Sequence, residues 1–357
     1  MRRLTLFLVI LAAAAILIAC GKNGNETGAT PTAAAEATPT SAQTNTDPTA
    51  TPTEVPATDT PTPSPEPEDP TPTPTIGPHA TIDTRIPTDY STYRLKNCGT
   101  IQKIEYETKD YLNDQATITK PAYVYLPPDY DETKQYNVLY LMHGVGGDET
   151  EWGMTGMSST VKAIMDNLIR YGDIEPFIVV APNGRSYADF ANRNGDYASF
   201  YVFGQELRND LIPYIESHFA VYHDENDPTA VRDHRAMAGL SMGGMQTINI
   251  GMCECLDLIS WFGTFSAAPT SYASSKIAEI IGNEQFAQYK INYMYNICGL
   301  QDSIAYASAS AAAKNLPKYT DKLVDGENFM WQEKSGNHDF TIWYLGFYNF
   351  AQLAFKQ

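Results

Sequence analysis

One pentapeptide restricts the folds open to this chain more than any other feature of its sequence. Residues 239–243 read Gly-Leu-Ser-Met-Gly and overlap the end of an apolar run, Arg235–Leu240. Where a strand turns sharply into a helix, glycines two residues either side of a serine remove the Cβ atoms that would collide. The serine hydroxyl is then exposed at the end of the strand, which makes Ser241 a candidate nucleophile. The alternative is a glycine-rich turn with an incidental serine, and the residues that follow must decide between the two.

Short apolar runs alternate with helical patterns around this pentapeptide. Ile101–Thr108 and Ala116–Leu126 predict an opening antiparallel pair of strands. Strands buried on both faces are predicted at Val138–Met142, Phe177–Ala181, Arg235–Leu240, Leu258–Phe265, Tyr293–Cys298 and Phe329–Gln332. Helices are predicted at Ser159–Tyr171, Phe203–His218, Met242–Cys253 and Phe340–Phe355. The alternation predicts an α/β fold, a mainly parallel sheet with helices on both faces, whose ligands gather at the carboxyl ends of the strands.

The first 20 residues have the composition of an export signal. Two arginines precede an apolar run, Leu4–Ala19, which is too short for a transmembrane helix. The run ends in Leu-Ile-Ala-Cys, which resembles the bacterial lipobox, so Cys20 is the expected site of lipid attachment. We therefore expect an extracellular lipoprotein of a bacterium, held on the cell surface through its membrane anchor.

A tether and one folded domain are expected to follow the signal. Residues 21–80 are rich in Thr, Pro and acidic residues, a composition with too little apolar surface to form a core. Residues 81–357 are dense in aromatic and apolar side chains and are long enough for one large domain. The net charge of −18 argues against nucleic acid as a partner.

The cysteines of the folded region do not have the spacing of a metal site. Cys98, Cys253, Cys255 and Cys298 include only one closely spaced pair. Export permits a disulfide between Cys98 and either Cys253 or Cys255, and buried free thiols are the alternative. The sequence leaves this choice open.

A second glycine-rich turn follows the strand predicted at Val138–Met142. The segment His143–Gly147 reads His-Gly-Val-Gly-Gly, and backbone amides of such a loop can donate to a developing oxyanion. Together with the amide of Met242, the residue after the serine, the amide of about Val145 would complete an oxyanion hole. His143 is interpreted as structural, because its position before the turn suits a bond to the loop and not to Ser241. A plain strand-to-loop turn is the alternative for this segment.

One of the six histidines suits the role of general base. His338 follows the last predicted strand, as expected when the order in the chain is serine, acid, histidine. An exposed loop histidine is its alternative. His143 is excluded by its structural interpretation. The positions of the remaining four, in the tether margin, beside a helix end or before a strand, argue against them; they are His79, His218, His223 and His234.

The acid that orients the base must lie at a strand end between the serine and the histidine. Asp302 lies four residues past the strand predicted at Tyr293–Cys298, although it could simply begin the next helix. The other acids precede a strand, lie in a polar stretch or adjoin the histidine; they are Asp257, Asp321, Asp325 and Asp339. Asp302 is therefore the predicted acid.

These motifs together resemble a known family. They are His143–Gly147, Asp166–Ile169, Pro176–Asn183, Ala238–Gly244, Cys298–Asp302 and Gly336–Trp343. The set, in this order, resembles carbohydrate esterase family 1 within the esterase D-like α/β-hydrolases, and most closely the feruloyl esterase modules of bacterial xylanases. The resemblance implies a serine esterase that releases ferulate or related hydroxycinnamates from arabinose on xylan. It implies Ser241 as nucleophile, His338 as base and Asp302 as its partner, with no metal or organic cofactor.

An aromatic acyl group would need an apolar slot near the serine. Three candidates lie after strands or near the histidine: Trp152, Trp343 and the segment Phe265–Ala268, which includes Ser266. A role in the core is the alternative for all of them. An acetylxylan esterase or an acyltransferase of the same fold is the alternative function. A cytosolic thioester hydrolase is disfavoured by the export signal, and a surface carbohydrate-binding protein without catalysis is disfavoured by the complete triad.

Overall fold

The computed structural model describes residues 82–356. The predicted signal with Cys20 and the whole of the predicted tether, residues 21–80, lie outside the described residues. Among the described residues, no helix is long and apolar enough to span a bilayer.

An eight-stranded sheet forms the centre of the domain. Its strands are β1 Thr100–Lys109, β2 Thr117–Leu126, β3 Asn137–Met142, β4 Phe177–Pro182, β5 Arg235–Leu240, β6 Trp261–Phe265, β7 Tyr293–Gly299 and β8 Phe329–Lys334. Their order in the sheet is β1-β2-β4-β3-β5-β6-β7-β8. The pairs β1–β2 and β2–β4 are antiparallel and the remaining neighbours are parallel. The α/β fold class and the antiparallel opening pair are confirmed.

Helices connect the parallel strands. They are α1 Thr160–Tyr171, α2 Ala198–Tyr201, α3 Phe203–Glu206, α4 Ile212–His218, α5 Met242–Gln246, α6 Ser274–Ile281, α7 Tyr306–Tyr319 and α8 Phe340–Leu353. A π-helical segment, Leu207–Leu211, joins α3 to α4, and another, Thr247–Met252, continues α5. The two long helices predicted from sequence are therefore each interrupted by wider turns.

The predicted strand Leu258–Phe265 is too long at its start. The amides of Leu258 and Ile259 both donate to the carbonyl oxygen of Cys255, so these residues close a turn before β6 begins at Trp261. Apolar composition alone cannot distinguish a buried turn from a buried strand.

The sheet separates two apolar layers. Successive residues of β3 alternate between them, since Leu139 and Leu141 face the layer that contains α1 and α8, whereas Tyr140 faces the other. The second layer is covered by α3, α4, the π segments, α6 and α7. Both faces of the parallel strands are thus buried, as continuous apolar runs predict.

The four cysteines of the domain are free thiols. Cys98 precedes β1, where the amide of the next residue, Gly99, donates to Asp166 of α1. Cys253 and Cys255 belong to the apolar layer on the opposite face of the sheet. The possible disulfide from Cys98 is therefore not formed, because the sheet lies between the cysteines, and the alternative of free thiols is the one observed.

Candidate active site

The predicted turn between strand and helix is present at Ser241. β5 ends at Leu240, α5 begins at Met242, and Ser241 between them has φ 49° and ψ −114°, a conformation unfavourable for a residue with a side chain. A Cβ on Gly239 would lie 2.5 Å from the carbonyl carbon of Gly243, and one on Gly243 would lie 2.5 Å from the carbonyl oxygen of Met142. Both glycines are therefore required by the close approach of backbone at this corner.

The structure brings together the three side chains predicted to form the triad. The Nε2 atom of His338 lies 3.0 Å from the Oγ of Ser241, and the Nδ1 atom lies 2.7 Å from Oδ2 of Asp302. An ionised carboxylate only accepts hydrogen bonds, so Nδ1 carries the proton and Nε2 is free to accept the serine proton. The loops after β5, β7 and β8 supply one residue each.

Asp302 is held by several donors. Its Oδ1 atom accepts the amides of Ile304, at 3.0 Å, and Ala305, at 2.8 Å. Burial alone would raise the pKa of Asp302, but hydrogen bonds from His338, the Ala305 amide and Ser266 lower it to about 2. The carboxyl group is therefore an anion at neutral pH, the state that stabilises a protonated imidazole.

Two residues that the sequence analysis excluded from the triad, His143 and Asp339, have structural contacts. His143 is buried and bonds to the loop, with Nδ1 2.7 Å from the carbonyl oxygen of Gly144. Asp339 caps α8 by accepting the amide of Thr341 at 2.9 Å. Their contacts fit the structural interpretation of His143 and the exclusion of Asp339.

The predicted oxyanion donors lie near each other. The side chain of Val145 packs against an apolar cluster that contains Met242 and Ala268. The Met242 amide belongs to the first turn of α5, where amides have no partner within the helix. In the loop, the Gly144 amide donates to Glu151 and the Gly147 amide to the carbonyl oxygen of Gly144, which leaves Val145 and Gly146 as the candidate loop donors.

The three residues predicted to contact substrate are all buried. Trp152 is 1% exposed, donates to the carbonyl oxygen of Met142 and packs among aromatic rings, which fits the core role allowed from sequence. Ser266 has no exposed surface and contacts Asp302. Trp343 is 8% exposed and meets the ring of His338 edge-on, at 5.1 Å between centroids. Its contact is with His338, and the substrate contacts predicted for all three residues remain predictions.

Sequence reasoning did not identify two polar side chains that contact the loop His143–Gly147. The carboxylate of Glu151 accepts the amide of Gly144 at 2.6 Å, and burial raises the pKa of this carboxyl group. Arg185, in the loop after β4, donates to carbonyl oxygens of the same loop. A polar run after a buried strand was the available signal for Arg185, whereas Glu151 lies in an acidic run with no distinguishing pattern.

Within residues 82–356, no group of three or more His, Cys, Asp or Glu side chains has the geometry to hold a metal ion.

Fold and site together define the class of protein. A mainly parallel sheet with a serine, a histidine and an aspartate at the carboxyl ends of its strands, joined in this chain order, is the architecture of an α/β-hydrolase. The esterase family model, described as "Putative esterase", matches residues 118–269, which include the loop His143–Gly147 and Ser241. The described part of the chain is an esterase domain, a carboxylic ester hydrolase.

Within this class, the chain is similar to feruloyl esterases of carbohydrate esterase family 1, which confirms the resemblance found in its motifs. Endo-1,4-beta-xylanase Y of Acetivibrio thermocellus is 35% identical over 260 residues, or 68% of this chain and 22% of that protein. An endo-1,4-beta-xylanase/feruloyl esterase of Xylanibacter ruminicola is 38% identical over 276 residues, or 75% of this chain and 33% of that protein. The chain thus spans a third or less of these curated relatives.

A solved structure supports the same similarity. A feruloyl esterase module from Clostridium thermocellum, complexed with sinapinate, matches with a TM-score of 0.65 at 26% identity. The match covers 79% of this chain and 96% of that module. The likeness therefore extends over nearly the whole of the solved module.

Proposed function

We propose that the chain is an exported serine esterase that hydrolyses hydroxycinnamoyl esters, such as feruloyl groups on arabinoxylan. The observation that carries the proposal is the continuous hydrogen-bonded line from Ser241 through His338 to Asp302. The similarity to feruloyl esterases, and to a module complexed with sinapinate, supports an aromatic acyl group.

The geometry suits acyl transfer through a covalent intermediate. Ser241 attacks the ester carbonyl while Nε2 of His338 takes its proton, and Asp302 stabilises the imidazolium. The amides of Met242 and Val145 hold the oxyanion of the tetrahedral intermediate. His338 then protonates the leaving sugar alcohol, and water repeats the two steps on the acyl-enzyme.

Apolar side chains on the triad loops offer contacts for an aromatic acyl group. Leu300 and Ile304 lie two residues either side of Asp302 in sequence, and these residues are 44% and 54% exposed. Exposed aliphatic side chains next to a catalytic acid can cover the face of a bound ring. We propose that they line the acyl site, where they would favour a hydroxycinnamoyl over an acetyl group.

The test compares turnover of methyl ferulate, a feruloylated arabinoxylan oligosaccharide and acetylated xylan by the full chain. We expect release of ferulate from the first two, loss of that activity in Ser241→Ala, and near-normal activity in Ser335→Ala. Ser335 is a matched control because its exposed hydroxyl contacts Gln301 and not the triad. Activity confined to acetyl esters would contradict the acyl assignment, and full activity in Ser241→Ala would contradict the mechanism.

The surface location is a separate part of the proposal and rests on the sequence Leu17–Cys20. We expect the wild-type chain in the membrane fraction of a bacterial host and the Cys20→Ala chain outside it. Cys98→Ala is the control, because it removes a different thiol and leaves the lipobox intact. Equal partitioning of wild type and Cys20→Ala would disprove the lipid anchor.

A further inference from the structure

A buried guanidinium holds the loop His143–Gly147, which we call the oxyanion loop. Arg185 donates from Nη1 to the carbonyl oxygen of Gly147, at 2.7 Å, and from Nη2 to the carbonyl oxygen of Val145. Nη2 also donates to the carbonyl oxygen of Arg193 at 3.1 Å, and the guanidinium carbon lies 4.7 Å from the centre of the Phe200 ring. Arg185 has no exposed surface. Burial of a cation is costly, so the position of this guanidinium beside the loop needs an explanation.

A buried imidazole holds the same loop from within. Nε2 of His143 accepts the amide of Gly184 at 2.8 Å, so Nδ1 is the protonated nitrogen and donates to the carbonyl oxygen of Gly144. Burial lowers the pKa of His143 to about 3, which keeps the ring neutral and this pattern of bonds intact near neutral pH. The imidazole is thus a fixed orienting group.

These two side chains determine where the loop amides point. In a trans peptide the C=O and N–H bonds point in opposite directions. His143 holds the carbonyl of Gly144, so the N–H of Val145 points away from the imidazole. Arg185 holds the carbonyl of Val145, so the N–H of Gly146 points away from the guanidinium. Both peptide planes around Val145 are therefore fixed by buried side chains.

The held loop lies against the nucleophile. A Cβ on Gly144 would lie 3.4 Å from the Cβ of Ser241, and the side chain of Val145 packs in the cluster that contains Met242. A small rotation of either peptide plane would therefore change the position of the loop amide relative to the reacting carbonyl.

We propose that Arg185 and His143 are positioning residues that hold the amide of Val145 as the oxyanion donor facing the amide of Met242. The inference deepens the proposed esterase function and rests on it. An arginine suits the task because its planar fork reaches two carbonyl oxygens that are two residues apart, whereas a lysine offers a single point of charge. Neither residue needs to touch the substrate.

The first test replaces the guanidinium. In Arg185→Met we expect kcat for methyl ferulate to fall about 10- to 100-fold, less than the loss of a whole oxyanion donor, with KM changed less than about threefold. Affinity for a boronic acid that forms a tetrahedral adduct with Ser241 should fall by a similar factor. Arg185→Lys should lie between wild type and Arg185→Met. A purely structural role would not weaken the tetrahedral adduct selectively.

The second test uses two amide replacements of the imidazole. The side-chain nitrogen of Asn reaches about as far as Nδ1, and that of Gln about as far as Nε2. His143→Asn can therefore keep the bond to the carbonyl oxygen of Gly144, whereas His143→Gln cannot. We expect kcat and boronic-acid affinity to be retained better in His143→Asn, and the reverse order would contradict the inference.

Arg208→Met is the matched control, because Arg208 makes a two-point ion pair with Asp257 away from the triad. This variant should lose stability and keep kcat.

The outcomes separate the inference from the proposed function. If Ser241→Ala is inactive but folded Arg185→Met keeps wild-type kcat and boronic-acid affinity, the inference is wrong and the proposed function stands. If Ser241→Ala keeps full activity, the proposed function fails and the inference fails with it. If Arg185→Met does not fold, the kinetics of Arg185→Lys and of the two His143 variants decide whether the inference holds.

Discussion

Both carboxylate oxygens of Asp302 accept hydrogen bonds, and the two oxygens have different partners. Oδ2 holds the imidazole of His338, and Oδ1 accepts two amides that begin the turn into α7. Sequence predicted Asp302 as the acid, with a helix-starting role as the alternative, and the structure shows contacts of both kinds. The carboxylate is therefore held from both oxygens, one bonded to the imidazole and the other to the backbone.

The substitution Asp302→Asn should therefore lower activity far more than the small change in side-chain size suggests. An amide nitrogen facing Nδ1 favours the wrong imidazole tautomer, and we expect kcat to fall about 10⁴-fold with little change in KM. Steady-state kinetics with methyl ferulate measures both. Asp339→Asn is the control, since asparagine also caps helices and should leave kcat almost unchanged. Similar kinetics for the two variants would contradict the assignment.

The ionisation of Asp302 also links stability to pH. Its pKa falls from an ordinary value of 3.8 to about 2 in the folded protein, so folding favours the carboxylate. The stabilisation is complete above about pH 4 and is lost as the pH falls through about 2. The difference in unfolding free energy between wild type and Asp302→Asn should narrow between pH 5 and pH 2. A constant or widening difference by chemical denaturation would contradict this linkage.

At the scale of elements, the strand, turn and helix around Ser241 act as one unit. The corner exists because Gly239 and Gly243 allow backbone to meet backbone, and α5 then places the Met242 amide at its first turn. This unit was readable from sequence because steric exclusion at the corner leaves glycine as the only residue that fits.

Gly243→Ala should disrupt this unit. The new Cβ would lie 2.5 Å from the carbonyl oxygen of Met142, and relief of the clash would shift the corner, costing about 1–3 kcal/mol of stability and most of the activity. Gly156→Ala provides the comparison, because a Cβ there meets nothing within 4 Å. Thermal unfolding and ester hydrolysis should separate the two variants, and equal behaviour would show that the corner is adaptable.

A buried ion pair ties β2 to α3 and to the loop after β4. Nζ of Lys120 lies 2.7 Å from Glu206, and both side chains are inaccessible to solvent. The ammonium group also donates to the carbonyl oxygens of Asn183 and Arg185. Through these bonds the second strand supports the loop that presents Arg185.

Lys120→Met leaves the carboxylate of Glu206 buried without its cation, so we expect a loss of about 3–5 kcal/mol of stability. Lys103→Met removes half of an exposed ion pair with Glu105 and should change stability by less than about 0.5 kcal/mol. Urea unfolding of the two variants measures the contrast. A small effect of Lys120→Met would mean that the pair adds little beyond its packing.

At the scale of the whole molecule, the parts of the fold that sequence predicted are those set by local rules. Six strands follow from continuous apolar runs and the opening pair from alternating apolar residues. The order of Ser241, Asp302 and His338 follows from their places after β5, β7 and β8. The parts that could not be predicted depend on distant partners. Nothing near Arg185 in sequence indicates that its guanidinium meets residues some forty positions earlier, and nothing near Cys98 indicates that a sheet lies between it and Cys253.

The free thiols have a consequence for how the protein can be produced. Burial raises the pKa of Cys253 and Cys255 to about 12, so the reactive thiolate is scarce at neutral pH and both react slowly with oxidants. The fold of residues 82–356 is held together by packing, hydrogen bonds and ion pairs, and it contains no disulfide that must form by oxidation. Refolding yield of the esterase domain is therefore expected to be the same in dithiothreitol as in a glutathione redox buffer, and bacterial cytoplasm should serve for its expression as well as the periplasm.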